Sequence, residues 1–168
     1  MNAKENGEVF YYRYSTEIGE LVISCDGDAI TGVRFASSCG EVTGKNVRTP
    51  LTDKAADEIR EYLAGKRKTF DLPLTARGTE FQQKVWRALC DIPYGGTRSY
   101  ADVAAAVGNP KAVRAVGMAN HNNPIAIILP CHRVIGKSGK PVGYAGGVDV
   151  KLKLLELERR VMTGNNAV

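Results

Sequence analysis

The sequence predicts an α+β protein. A small N-terminal α/β domain with an antiparallel sheet spans residues 1–76, and a mostly helical, winged-helix-like domain with a helix-turn-helix spans residues 77–168. Three observations predict this. β-branched and aromatic runs broken by turn residues fill the first part of the chain. Apolar residues at helical spacing fill most of the rest. Between them, Leu72 to Gly78 carries Pro73 and Gly78 and reads as an interdomain linker. At 168 residues, against about 150 per domain, the chain holds one domain or two small ones.

Each element has its own signal. Val9 to Tyr14, Leu21 to Cys25 and Ala29 to Phe35 read as strands, the last two joined by the turn Asp26-Gly27-Asp28. Ser37 to Thr49 is polar and reads as a loop. Pro50 opens a helix whose apolar face is Leu51, Ala55, Ile59, Tyr62 and Leu63, and Gly65 stops it. Lys66-Arg67-Lys68 reads as a solvated turn. Thr79 and Gln82 form a capping box ahead of a helix that buries Phe81, Val85, Trp86 and Leu89. Ser99-Tyr100 starts a helix that runs to Val107 and ends at Gly108. Asn109-Pro110 starts the next, which carries Lys111, Val113, Arg114 and Val116 to about Ala119. Helix, Gly-containing turn, helix is the helix-turn-helix layout. Asn120 to Pro124 is a turn, Ile125 to Leu129 a short buried strand or extended segment, and Gly136 to Gly147 a Gly-rich loop. Asp149 to Arg160 is a last helix with Leu152, Leu155 and Leu157 apolar, and Thr163 to Val168 reads as a frayed tail.

Composition narrows the function. With 43% hydrophobic and 24% charged residues, the chain is neither disordered nor fibrous. The longest apolar run, Ile125 to Leu129, is too short to span a bilayer, and Met1 to Gly7 has no apolar signal core, so a cytoplasmic protein is expected. Residues 1–76 carry 10 Lys+Arg and 12 Asp+Glu; residues 77–168 carry 13 and 6. The second part is the basic one, which suits a polyanion such as nucleic acid. Cys25, Cys39, Cys90 and Cys131 are scattered and read as free thiols. Neither histidine sits at zinc-finger spacing from them, so no metal is expected.

Pro130-Cys131-His132-Arg133-Val134 carries the chemistry. A thiol is a poor nucleophile until it loses its proton, and a neighbouring base or cation supplies that activation. Pro130 fixes the backbone ahead of it. A Cys-His dipeptide alone is commonly coincidence, and a buried cysteine usually acts as a small hydrophobe. In an extended segment, moreover, the two side chains point to opposite faces, so a turn or a water must join them.

This motif resembles the active-site motif of the O6-alkylguanine-DNA alkyltransferases. Ser99-Tyr100, Gly108-Asn109-Pro110 and Ala112 to Gly117 resemble that family's helix-turn-helix. Asn123-Pro124, Gly143-Tyr144-Ala145-Gly146-Gly147 and Leu154-Leu155-Glu156-Leu157-Glu158 match further family motifs, in order, over residues 79–160. The resemblance implies that Cys131 accepts the alkyl group, that His132 is the base acting through a water, and that Glu158 orients His132. Asn123 would brace the active-site turn, and Tyr100 would support the leaving guanine. Arg114 would fill the gap in the base stack, with Lys111, Ala112, Ala115 and Gly117 on the DNA side. Tyr144, Ala145, Val134 and Gly146 would shape the pocket. Ala145 stands where some members carry serine, so no hydroxyl contact is expected there. The implied partner is double-stranded DNA containing O6-alkylguanine, bound by a monomer with no cofactor. Two other readings stand beside it: a non-enzymatic recognition module for alkylated bases, and a Cys-His-Glu hydrolase or redox sensor.

Overall fold

A computed structural model describes residues 7–164. The expected frayed tail is described only as far as Gly164; residues 165–168 lie outside the described part.

Strands β1 (Phe10–Thr16), β2 (Gly19–Cys25) and β3 (Ile30–Phe35) form an antiparallel meander. The β2–β3 turn closes as its residue types dictate: Asp26 Oδ1 accepts from the amides of Asp28 and Ala29. The expected loop over 37–49 contains a short strand, β4 (Lys45–Asn46), which pairs with β1 in parallel, giving the order β3-β2-β1-β4. The sheet is therefore mixed, because the loop returns to the free edge of β1 in the same direction. Helix α1 (Pro50–Leu63) starts with Pro50 in its first turn behind a Thr49–Thr52 capping box, and Gly65 follows it at φ 75°. It lays Ala55, Ile59, Tyr62 and Leu63 on the sheet.

The expected linker does not hang free. The Ile30 amide donates to Pro73 O at 2.8 Å and the Thr75 amide to Ile30 O at 2.9 Å, so this segment runs as an extra rung along β3. The exposed backbone edge of β3 explains the pairing. Further along β3, the Val33 amide donates to Pro124 O and the Ala126 amide to Val33 O. One hydrophobic core runs from Leu21 and Ile59 through Trp86 to Leu154.

Helix α2 (Glu80–Cys90) carries the expected Thr79–Gln82 box. Strand β5 (Arg98–Ser99) leads into α3 (Tyr100–Ala106), and α4 (Val113–His121) follows a turn containing Gly108 at φ 82°. The second helix of the pair begins three residues later than the sequence suggests. The Ala112 amide bonds Asn109 O, so Pro110 and Lys111 sit in a turn and Ala112 is the N-cap. The Trp86 indole donates to Ala119 O at 2.8 Å and fixes α4 on α2.

Ile125 to Leu129 is buried but is not a strand. Only Ile125 pairs, with Val33, and the rest turns back on itself with Ile127 at φ 73°. A β-branched residue there is strained, at about 1–3 kcal/mol. The chain then makes a 3-10 turn over Cys131–Arg133 and enters β6 (Val134–Ile135), which pairs in parallel with β5. Helix α5 (Val148–Met162) closes the fold. Its buried face is Lys151, Leu154, Leu157 and Glu158, while Leu152 is exposed. The helix is thus rotated from the expected leucine face, because two charged residues find buried partners.

Candidate active site

The turn that carries Cys131 is built by Asn123. Its amide nitrogen donates to Leu129 O at 2.8 Å, and its Oδ1 accepts the Ile125 amide at 3.0 Å. One side chain thus ties both ends of the strained segment. The Asn120 amide adds a 3.3 Å bond to Cys131 O. Cys131 is only 5% exposed. Burial pushes its thiol pKa up; hydrogen bonding from Asn123 and the nearby Lys151 charge pull it down.

Cys131 lines a cavity of about 550 Å³ together with Tyr100, Arg114, Gly117, Asn123, Tyr144 and Ala145. Seven residues singled out in the sequence therefore meet in one space. Tyr100 is half-buried and donates to Val142 O at 3.1 Å; burial and the neighbouring Cys131 raise its pKa, so it stays a donor. Tyr144 Oη is buried with no partner among the described residues, and its pKa is well raised by burial. Arg114 is exposed at the mouth beside Val113 and Met118. Ala112, Ala115 and Lys111 lie on the outer surface of the helix-turn-helix. Val134 and Gly146 are outside the cavity lining: Val134 is buried in β6, and Gly146 backs onto Phe35.

Beneath the cysteine lies a buried polar network. The 3-10 turn, which replaces the extended geometry, leaves the His132 ring fully buried with its Nε2 2.7 Å from Glu158 Oε2. Glu158 Oε2 also accepts from Tyr62 Oη at 2.5 Å and Arg133 Nη2 at 3.2 Å. Its Oε1 accepts from Arg133 Nε at 2.9 Å and the Gly95 amide at 3.0 Å. Burial alone would raise this carboxyl, but bonds from His132, Arg133 and Tyr62 outweigh it and bring the pKa down to about 2. The bidentate Arg133 and the Tyr62 hydroxyl keep the carboxylate ionised whatever the charge on the imidazole. Burial pulls His132 below its usual value of 6.5, so the ring is neutral. With Nε2–H donated to Glu158, Nδ1 holds the lone pair, and it has no partner among the described residues.

This network carries a pH prediction. Glu158 has a folded pKa below its ordinary 4.5, and His132 one below 6.5. Both bind protons more readily in the unfolded chain, so stability is lost as pH falls. Stability, measured by denaturation at a series of pH values, is expected to fall from about 6.5 downward, most steeply between 4.5 and about 2. The Glu158 share is roughly 3 kcal/mol.

Several working residues were not visible in the sequence. Tyr62 reads as one more apolar residue of α1, and Arg133 as a positive neighbour of the thiol, whereas its guanidinium pairs with Glu158. Glu158 reads on its residue type alone as a solvated charge paired with Lys151 or Arg160; its actual partners come from α1 and the cysteine turn. Lys151, which as a lysine of the basic part of the chain is a candidate phosphate contact, is fully buried and donates to Val134 O at 2.6 Å and to the carbonyls of Val142 and Gly143. A buried ammonium needs such carbonyls, and once it has them it cannot reach DNA.

No helix among the described residues is long and apolar enough to cross a membrane. Comparison with known proteins agrees with the site. The DNA-binding domain of 6-O-methylguanine DNA methyltransferase matches residues 80–160, and the ribonuclease-like domain of the same enzyme matches residues 9–76. The constitutive methylated-DNA--protein-cysteine methyltransferase of Bacillus subtilis is 51% identical over 158 residues, covering 89% of this chain and 95% of that protein. The methylated-DNA--protein-cysteine methyltransferase of Methanosarcina acetivorans is 44% identical, covering 89% of this chain and 98% of its own length. The crystal structure of Mycobacterium tuberculosis OGT in complex with DNA superposes with a TM-score of 0.85 at 46% identity, covering 90% of this chain and 94% of that one. From the cysteine turn, its buried histidine–carboxylate support and these matches over nearly its whole length, the chain belongs to the O6-methylguanine DNA methyltransferase family.

Proposed function

We propose that the protein repairs duplex DNA by moving an alkyl group from O6 of guanine, or O4 of thymine, onto Cys131, once per molecule. The observation that carries this reading is a nearly buried thiol in a 550 Å³ cavity, beneath which His132 keeps one unpartnered nitrogen. The target atom lies inside the base stack, so the nucleotide must flip out, at a cost of a few kcal/mol. Arg114, exposed at the cavity mouth, takes the place of the departed base.

In the reaction the sulfur–carbon bond forms as the carbon–O6 bond breaks. Guanine leaves with the bonding electrons and takes up one proton; the thiol gives up one, so charge balances. His132 Nδ1, neutral and free, receives the thiol proton through a water. Glu158 stabilises the imidazolium that results, as a carboxylate does behind a catalytic histidine. Tyr100, kept protonated, donates to the developing charge on the guanine. Residues 1–76 serve as a scaffold, supported by the Tyr62–Glu158 bond that crosses between the two parts of the chain. A cytoplasmic setting suits a thiol that must stay reduced.

The test is intact-protein mass after incubation with a duplex holding one O6-methylguanine, beside an undamaged duplex. A gain of one methylene's mass with damaged DNA only, mapped to the Cys131 peptide, is expected. Damage-specific binding without a mass gain would make the protein a recognition module instead.

DNA binding is expected to weaken steeply with salt. Lys111→Ala, in the exposed turn before α4, should lower the slope of log affinity against log salt by about 0.9. Lys151→Met should leave the slope unchanged, because that ammonium is enclosed. Titrations at several salt concentrations check both.

A further inference from the structure

The wall over Cys131 is held from the far side by the N-terminal sheet. Tyr144 and Ala145 face the cavity that contains the thiol. Behind them stands Phe35, the last residue of β3, whose ring meets that of Tyr144 edge-on at 5.4 Å between centroids. A Cβ on Gly146 would lie 2.8 Å from the Phe35 ring, so the ring fills the space against that glycine. Ser38 Oγ donates to Ala145 O at 2.7 Å. The wall residues Tyr144 and Ala145 and the Gly146 behind them are thus each packed on or bonded to a residue that comes more than a hundred positions earlier in the chain.

The wall also has room behind it. A second cavity, about 350 Å³, is lined by Phe35, Ser38 and Cys39 and shares His121, Asn123, Ala126 and Ala145 with the first. The 144–146 segment is therefore a partition between two spaces, and Phe35 and Ser38 keep it from retreating into the second.

We propose that Phe35 and Ser38 are positioning residues that set how bulky an alkyl group Cys131 can accept. This rests on the alkyl-transfer reading. A methyl group needs little room over the sulfur, whereas a benzyl group needs space for a ring. The position of the partition decides between them. Apolar pockets discriminate by volume, about tenfold or more for each methylene-sized misfit.

The test is the single-turnover rate of transfer from duplexes holding O6-methylguanine or O6-benzylguanine. It compares the wild type with Ser38→Ala, Phe35→Leu and Phe35→Ala, each first checked by thermal melting. The benzyl-to-methyl rate ratio is expected to rise about tenfold in Phe35→Ala. Smaller rises are expected in Ser38→Ala and Phe35→Leu. Phe35 is buried, so if its alanine variant does not fold, the other two decide, since Ser38 is exposed and leucine still fills the site. An unchanged ratio in folded variants, or an equal fall in both rates, overturns the proposal and leaves the contacts merely structural. A wild type that transfers neither group overturns the alkyl-transfer reading, and this proposal with it.

Discussion

Cys131→Ala is expected to transfer no alkyl group at all, while still binding duplex DNA that holds O6-methylguanine. Cys131 is the one thiol that lines the cavity; Cys25 is buried in β2, Cys90 is exposed at the end of α2, and Cys39 lies across the partition in the second cavity. None of these can replace it. The variant should also fold. The turn is fixed by backbone and Asn123 bonds that do not use the sulfur, and losing one buried heavy atom costs about 1 kcal/mol. Intact mass, a binding titration and a melt together decide the matter. Any alkyl mass appearing on the variant would place the acceptor elsewhere.

The second large effect is expected from Glu158→Gln. The substitution keeps the shape and removes the charge. Arg133 then keeps its bond to Ile92 O at 2.8 Å but loses its anion in a site where it is only 8% exposed. Leaving a buried charge uncompensated costs about 3–5 kcal/mol, so the urea midpoint should fall sharply. Transfer should slow about a hundredfold as well, because the imidazolium formed by His132 loses the carboxylate beside it. A third result should accompany these: the acid-dependent loss of stability between pH 4.5 and 2 should be smaller in the variant by the Glu158 share, leaving that of carboxylates such as Asp26 and Asp53. A stability within 1 kcal/mol of the wild type would show that the network is not what holds α5 in place.

Elements whose signals are local were legible in the sequence. Thr79 with Gln82, Pro50 and Gly65 mark helix ends through neighbours three or four residues away, and the structure puts the ends there. The second helix of the helix-turn-helix was misplaced because Pro110 suits both a first helical turn and a plain turn. Only the Ala112–Asn109 bond separates the two. The residue types of Ile125 to Leu129 suit a strand or extended segment, although closure by Asn123 overrides that preference at Ile127. At the site, Cys131, Asn123, Tyr100 and Tyr144 were found through ordered motifs, and one cavity unites them. Tyr62, the buried place of Lys151, Phe35 and Ser38 are not legible there, nor is the pairing of Arg133 with Glu158. Their roles depend on partners far away in sequence, such as the 96-residue separation of Tyr62 from Glu158, and no periodicity records such a pairing. Residue type alone places Lys151 and Glu158 in solvent, because charges on a helix default there unless something buried awaits them; for Glu158 the family resemblance points instead to His132, and the bond is present.

The carboxylate that organises the cysteine belongs to α5, the last described helix, and the hydroxyl that completes it belongs to α1. The ribosome therefore makes Cys131 well before it makes Glu158. Chains are built at about 5–20 residues per second, and early segments begin to fold first. During that interval β3 and α1 can already stand formed while the thiol still lacks its histidine–carboxylate support. A chain that ends before α5 carries the same thiol with no carboxylate behind His132. The last helix made therefore completes the site, and a chain cut short of Glu158 lacks the partner of both His132 and Arg133.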